Sequence, residues 1–303
     1  MHSVVFIVGP TATGKTEIAF LLTKELNGEI VSCDSTLVYK EPQIITSKPP
    51  SYMLEEVKHN FVGIISVEDD YNVFSYYTSA KKKILELVNE NKFVCVCGGS
   101  GLYFQAILDG IFEGVGKDPN LRKELQEKAE LYGTEFLYKK LQEVDYLTAE
   151  KISKNDLKRI IRALEVYYLT GIPISQKKIE AKGLYGNIHL KIFGLSLERK
   201  ILYERINQRV EKMFNLGAVE EVKKLLKLNL SITAEKIIGI REIKAYLEGK
   251  YNLEKAKEEM KKNTRHFAKR QITWFKKDSR IDWIDIADLS AQEIKNLILE
   301  KIR

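Results

Sequence analysis

Cysteine and histidine are scarce here, with three of one and four of the other in 303 residues. Cys33, Cys95 and Cys97 show no metal-ligand spacing, and His59 has no partner at ligand spacing, so a zinc-type site is excluded. Cys95 and Cys97 alternate within the apolar segment Phe93 to Cys97, the pattern of buried, reduced thiols. Long apolar runs are also missing. The longest near the start, Val4 to Val8, is far too short to span a bilayer. No charged segment leading into an apolar stretch and a small-residue cleavage site precedes it, so a cytoplasmic protein without a membrane partner is expected. There is no internal repeat and no low-complexity tract. Neither sign of charge dominates: 49 Lys and Arg face 42 Asp and Glu, a net charge of +7. That admits a polyanionic partner without selecting one, because Lys- and Glu-rich compositions also occur in heat-adapted proteins. With 44% apolar residues the chain can bury a sizeable core, and its length suggests about two domains.

What is present starts with Gly9-Pro10-Thr11-Ala12-Thr13-Gly14-Lys15-Thr16, a full G-x-x-x-x-G-K-[ST] motif. It follows the apolar run Ser3 to Val8 and opens a helical pattern through Ile18, Ala19, Leu22 and Leu26. In that setting backbone N–H groups and a helix N-terminus face a phosphate, Lys15 adds a point charge, and the Thr16 hydroxyl is placed to ligate Mg²⁺. A second short strand, Glu29 to Cys33, ends at Asp34-Ser35. Ligands sit beyond the carboxyl ends of strands in open α/β sheets, so Asp34 should share the crevice, as a metal ligand or as a general base. Residues 36 to 73, with Pro42, Pro49 and Pro50, read as loop. A helix from Val73 to Asn91 follows, then the buried parallel strand Lys92 to Cys97 and a second glycine loop, Gly98-Gly99-Ser100-Gly101, opening another helix.

From Gly114 the chain turns to charged helices, expected at 119–132 behind the cap Asp118-Pro119, at 134–144, and at 156–170. Arg159 and Arg162 share an exposed face of the last of these. Leu190 to Leu197 returns to a strand pattern, and the last third is mainly helical, closing with a strand over 280–286 and a helix over 290–302. Between Met260 and Lys277, the residues Lys262, Arg265, Lys269 and Lys276 make a basic stripe opposite Met260, Ala268, Ile272 and Phe275, an arrangement suited to nucleic-acid phosphates. The whole reads as α/β: a P-loop parallel sheet flanked by helices over 1–114 and 188–303, with a helical insertion domain at 115–187. A P-loop small-molecule kinase would use the same first loop, but would carry a lid with paired arginines. An RNA-binding module with a nucleotide-sensing loop is a non-enzymatic alternative.

Taken together the motifs resemble the tRNA dimethylallyltransferases, also called tRNA isopentenyltransferases. Beyond the first loop, the resemblance runs through Asp34-Ser35, Tyr39, Lys48-Pro49, Gly98 to Tyr103, Asp156 to Glu165, Leu202 to Val210 and Asn263 to Phe275. It implies transfer of a dimethylallyl group from its diphosphate to the exocyclic N6 of the adenine 3′ of the tRNA anticodon, with Mg²⁺. Asp34, Ser100 and Arg241 are then the catalytic residues. Gly9, Thr11, Ala12, Thr13, Gly14, Lys15 and Thr16 hold the diphosphate, Thr16 also meeting the metal. Ser35, Tyr39, Arg159, Arg162, Arg205, Arg209, Arg265, Lys269 and Arg270 contact the anticodon stem-loop of tRNA, and a monomer suffices. The chain departs from the pattern at Ser100, usually Thr, at Ile240, usually Tyr, at Glu41, Gln43 and Ile45, and at Gly63. No zinc-finger extension follows residue 286, which points to the shorter bacterial type.

Overall fold

The computed structural model describes residues 4–112 and 116–303. Strands β1 (Val4–Val8), β2 (Glu29–Ser32), β3 (His59–Asn60), β4 (Val94–Gly98), β5 (Leu190–Ser196) and β6 (Asp282–Asp285) form a parallel sheet in the order β3-β2-β4-β1-β5-β6. The helices before the insertion are α1 (Lys15–Glu25), α2 (Ser51–Glu56), α3 (Val73–Asn89) and α4 (Gly101–Asp109). The insertion carries α5 (Pro119–Tyr132), α6 (Thr134–Val144), α7 (Tyr146–Ala149), α8 (Leu157–Thr170) and α9 (Ile174–Ile179). After β5 come α10 (Arg199–Asn215), α11 (Ala218–Leu225), α12 (Ile240–Leu247), α13 (Leu253–Phe275) and α14 (Ala291–Ile302).

The central strand β1 is Val-Val-Phe-Ile-Val, wholly buried because both faces of a parallel sheet are covered. Side chains alternate between the faces. Phe6, Val8, Val94 and Val96 meet Tyr76, Ala80 and Ile84 of α3, Phe104 and Ile107 of α4, and Phe275 of α13. Val5, Ile7, Cys95 and Leu195 meet Ile18 and Leu22 of α1 and Ile298 and Ile302 of α14. Each such aliphatic side chain contributes roughly 1.5–3 kcal/mol relative to exposure. The cysteines are unpaired, Cys33 and Cys95 being buried.

The segment expected as loop over 36–73 instead contains α2, the edge strand β3 and a bridge between Tyr39 and Ile65. These pieces are too short to show a period. What fixes them is a third core, in which Val38, Tyr39, Ile45 and Val67 pack with Val210, Val222, Ile243 and Met260.

The chain divides into two compact units, 4–108 with 184–303, and 109–183. The boundary anticipated between residues 114 and 115 lies outside the described residues. Within the second unit Leu125, Leu137, Leu141, Ile160, Ile161 and Leu164 form the core. Its first helix begins as the cap signal requires, the Asp118 carboxylate accepting from the N–H groups of Asn120 and Leu121.

Candidate active site at the carboxyl edge of the sheet

Three strand ends supply the site. Gly9 leaves β1 with φ +142°, and a Cβ there would lie 2.7 Å from the Leu195 carbonyl oxygen of β5, so both the turn and the close approach require glycine. The loop is tightened from within: the Thr13 hydroxyl donates to the Pro10 carbonyl at 2.9 Å, and Lys15 Nζ reaches the same oxygen at 2.5 Å. The second loop leaves β4 at Gly98, where a Cβ would lie 2.0 Å from the Cys33 carbonyl oxygen of the neighbouring strand end. That contact brings Ser100 against Ser35. The Ser35 N–H donates to Ser100 Oγ at 2.9 Å, and Ser100 Oγ donates to the Ser35 hydroxyl at 3.2 Å.

Asp34 lies between the two loops. Its Oδ1 accepts from both the Thr36 N–H (2.9 Å) and the Thr36 hydroxyl (2.8 Å), a local turn that fixes the carboxylate, while Oδ2 takes no hydrogen bond among the described residues. Burial pushes the Lys15 ammonium down to about 8, against the attraction of Cys97 and Asp34, and Arg209 lowers it further. Burial likewise lowers the Arg209 pKa, and Asp34 opposes that shift. Lys15, Asp34 and Arg209 are therefore one electrostatic cluster, with more positive charge than Asp34 can neutralise.

The structure corrects several expected roles. Arg209, on α10, is half-buried and within electrostatic reach of Lys15 and Asp34, beside the first glycine loop. Tyr39 is 1% exposed, with its hydroxyl 2.7 Å from that of Thr233, so it is a core residue and not an RNA contact. The Thr11 N–H is occupied by Gln271 Oε1 at 2.9 Å, which leaves its diphosphate role to the other amides of the loop. Arg162 is drawn inward to the buried Glu165 (2.6 Å) and the Gly116 carbonyl (3.0 Å). Glu165 also takes both arms of Arg122 and the Asp118 N–H, all within 2.9 Å, and these donors hold its carboxyl down at about 2 despite burial. Arg162 is thus part of a structural ion network within 109–183.

The remaining basic residues are accessible. Arg159 is exposed beside its capping partner Asp156 at 3.4 Å. Arg205 is half-buried on α10, and Arg265 donates to Asn207 Oδ1 at 2.7 Å. Lys269 and Arg270 are exposed on α13, Arg270 lying over the Phe267 ring at 5.7 Å. Arg241 is exposed in the first turn of α12 and makes no hydrogen bond or ion pair among the described residues. Gln271 was not anticipated. The signal available was a polar side chain on the apolar stripe of α13, three residues after Ala268 and four before Phe275.

For a metal, oxygen donors are at hand in the Thr16 hydroxyl and the open Asp34 oxygen, the hard ligands Mg²⁺ prefers. Among the described residues no group of three or more His, Cys, Asp or Glu could hold a metal ion unaided, so diphosphate oxygens and water would complete the shell. Among the same residues no helix is long and apolar enough to cross a membrane.

Comparison with known proteins places this arrangement. The family profile described as IPP transferase matches residues 37–278. The tRNA dimethylallyltransferase of Thermotoga neapolitana is 43% identical over 97% of this chain and 96% of its own, and that of Alkaliphilus metalliredigens 41% identical over 99% and 96%. Among solved structures, the tRNA isopentenylpyrophosphate transferase of Bacillus halodurans superimposes with a TM-score of 0.72 at 34% identity, covering 100% of this chain and 97% of that one. A eukaryotic dimethylallyltransferase acting on tRNA superimposes with 0.84 at 26% identity, covering 100% of this chain and 80% of that one. On a match across most of its length to both the profile and these relatives, the chain belongs to the tRNA dimethylallyltransferase family.

Proposed function

We propose that this protein transfers the dimethylallyl group of dimethylallyl diphosphate to the exocyclic N6 of the adenine 3′-adjacent to the anticodon of a tRNA, releasing diphosphate. The observation that carries the proposal is the Asp34 carboxylate, fixed by Thr36 with one oxygen open, between two glycine loops and coupled to Lys15 and Arg209. The allylic C–O bond breaks and its electrons leave with the diphosphate. Lys15, the amides of residues 13–16 and Arg209 stabilise that growing charge. As the new N–C bond forms, the amine proton passes to Asp34. Mg²⁺ held by the Thr16 hydroxyl would neutralise diphosphate oxygens, leaving the Asp34 carboxylate to the proton. Ser100 keeps the Asp34-Ser35 turn against the second loop, and Lys269, Arg270, Arg205 and Arg159 supply cationic contacts for the RNA backbone. The adenine must leave its stack to reach Asp34, at a cost of a few kcal/mol that backbone contacts offset.

A kinase would need a second cluster of cations on the transferred phosphate, and the relatives named above are not kinases. The test is incubation with labelled dimethylallyl diphosphate and unmodified tRNA, followed by nucleoside analysis. Label is expected in an N6-prenylated adenosine. Turnover of ATP with label absent from the RNA would sink the reading.

A further inference from the structure

We propose that Gln271 is a positioning residue that holds the two phosphate loops in register for the departing diphosphate, an inference that rests on the prenyl-transfer reading above. Its side chain is 5% exposed and spans the two loops. Oε1 accepts from the Thr11 N–H of the first loop at 2.9 Å, and Nε2 donates to the Gly99 carbonyl of the second at 2.9 Å. The partners settle which end of the amide is which, because an N–H needs the oxygen and a carbonyl needs the nitrogen. The contacts join positions 260 and 172 residues apart, so no local turn makes them.

The second loop is shaped to admit this side chain. A Cβ at Gly99 would lie 2.1 Å from Gln271 Nε2, and one at Gly101 would lie 2.4 Å from the Trp274 ring. Gln271 and Trp274 are three apart on α13 and meet the loop along one face. An apolar residue at 271 would leave a part-buried N–H and a buried carbonyl unpaired, one in each loop. The loops would then drift relative to each other, separating Ser100 from the amides of residues 13–16. Because Gln271 occupies the Thr11 N–H, it also determines which amides remain for the diphosphate. Lys269 and Arg270, the exposed cations two residues and one residue earlier, ride on the same helix. The RNA contacts and the register of the loops thus share one element.

The experiment compares the wild-type protein with Gln271→Leu and Gln271→Glu in steady-state prenyl transfer between pH 6 and 8, with thermal unfolding of each. Leucine removes both hydrogen bonds. It is expected to lower kcat/KM for dimethylallyl diphosphate about tenfold or more, with KM for tRNA within about twofold of wild type. Glutamate separates positioning from bulk. Ionised, it still accepts from Thr11 but turns an anionic oxygen toward the Gly99 carbonyl; protonated, it donates there as the amide does. The activity of Gln271→Glu relative to wild type should therefore rise about threefold or more as the pH falls from 8 to 6. A change in packing alone predicts no such profile. Wild-type kcat/KM in Gln271→Leu, or a pH-independent deficit in Gln271→Glu, overturns the proposal. If the leucine variant does not fold, the glutamate profile decides alone. Wild-type protein that prenylates no tRNA overturns the parent reading first, before any variant is compared.

Discussion

Asp34 and Glu165 are both carboxylates set beside arginine, and the chain treats them in opposite ways. Glu165 is 0% exposed and has its capacity filled by Arg122, Arg162 and a backbone N–H. Asp34 is partly exposed, with one oxygen held by Thr36 and the other without a hydrogen bond among the described residues, and Arg209 and Lys15 are its electrostatic partners. A satisfied carboxylate stabilises structure because removing it strands charge, whereas one left half-satisfied retains the capacity to bind a proton or a metal.

The largest expected effect falls on Asp34. Asp34→Asn keeps an acceptor for Thr36 and so keeps the turn, but it cannot take the amine proton. Turnover should fall about 10²- to 10⁴-fold, with tRNA affinity retained in a filter-binding assay. Near-normal single-turnover transfer by this variant would erase the distinction between the two carboxylates.

Glu165→Ala should do the reverse. It leaves Arg122 and Arg162 without their shared anion, a loss of about 3–5 kcal/mol to the 109–183 unit, read by urea unfolding or amide exchange of those residues. At saturating tRNA, turnover per folded molecule should hold. The sign with pH follows from the depressed pKa. The contribution of Glu165 is fully present above its ordinary value near 4.5 and is lost as the pH falls toward about 2. The acid limb of the stability curve should flatten over that window in Glu165→Gln.

How legible was this contrast beforehand? Both glycine loops, the Asp118 cap and the helices after it follow from short-range rules, and they stand where those rules put them. Asp34 is legible for the same reason, being the polar residue at the end of an apolar strand. Arg162 and Arg209 were not, since the helical period assigns a face but not what packs against it. Arg162 turns to a glutamate three residues on, and Arg209 toward a carboxylate 175 positions away in sequence. Tyr39 took its expected RNA role from the resemblance alone, and motif position says nothing of the third core that buries it here. Gln271 was visible only as an anomaly in an apolar stripe.

A smaller effect tests the other member of the Asp34 cluster. With burial lowering the Lys15 ammonium to about 8, part of the free protein carries a neutral amine there in mildly alkaline solution. A bound diphosphate favours the ammonium, so binding at mildly alkaline pH should take up a fraction of a proton, visible by calorimetry in buffers of different ionisation enthalpy. Affinity should decline as pH rises above 8, approaching tenfold per pH unit, and Lys15→Arg should remove that dependence.

The smallest effects separate committed from uncommitted arginines and lysines. Lys269 and Arg270 are exposed, so Lys269→Ala should weaken tRNA binding about fivefold and lower the slope of log K against log salt by about 0.7, one counterion fewer being released. Arg162 points at Glu165, and Arg162→Ala should leave that slope unchanged while destabilising the insertion. The salt slope isolates the phosphate contact because a loss of folded protein lowers the apparent number of sites without changing the counterions released by each. If Arg162→Ala lowers the slope as much as Lys269→Ala does, its guanidinium reaches RNA as well as Glu165, and the division between structural and binding cations fails at that residue.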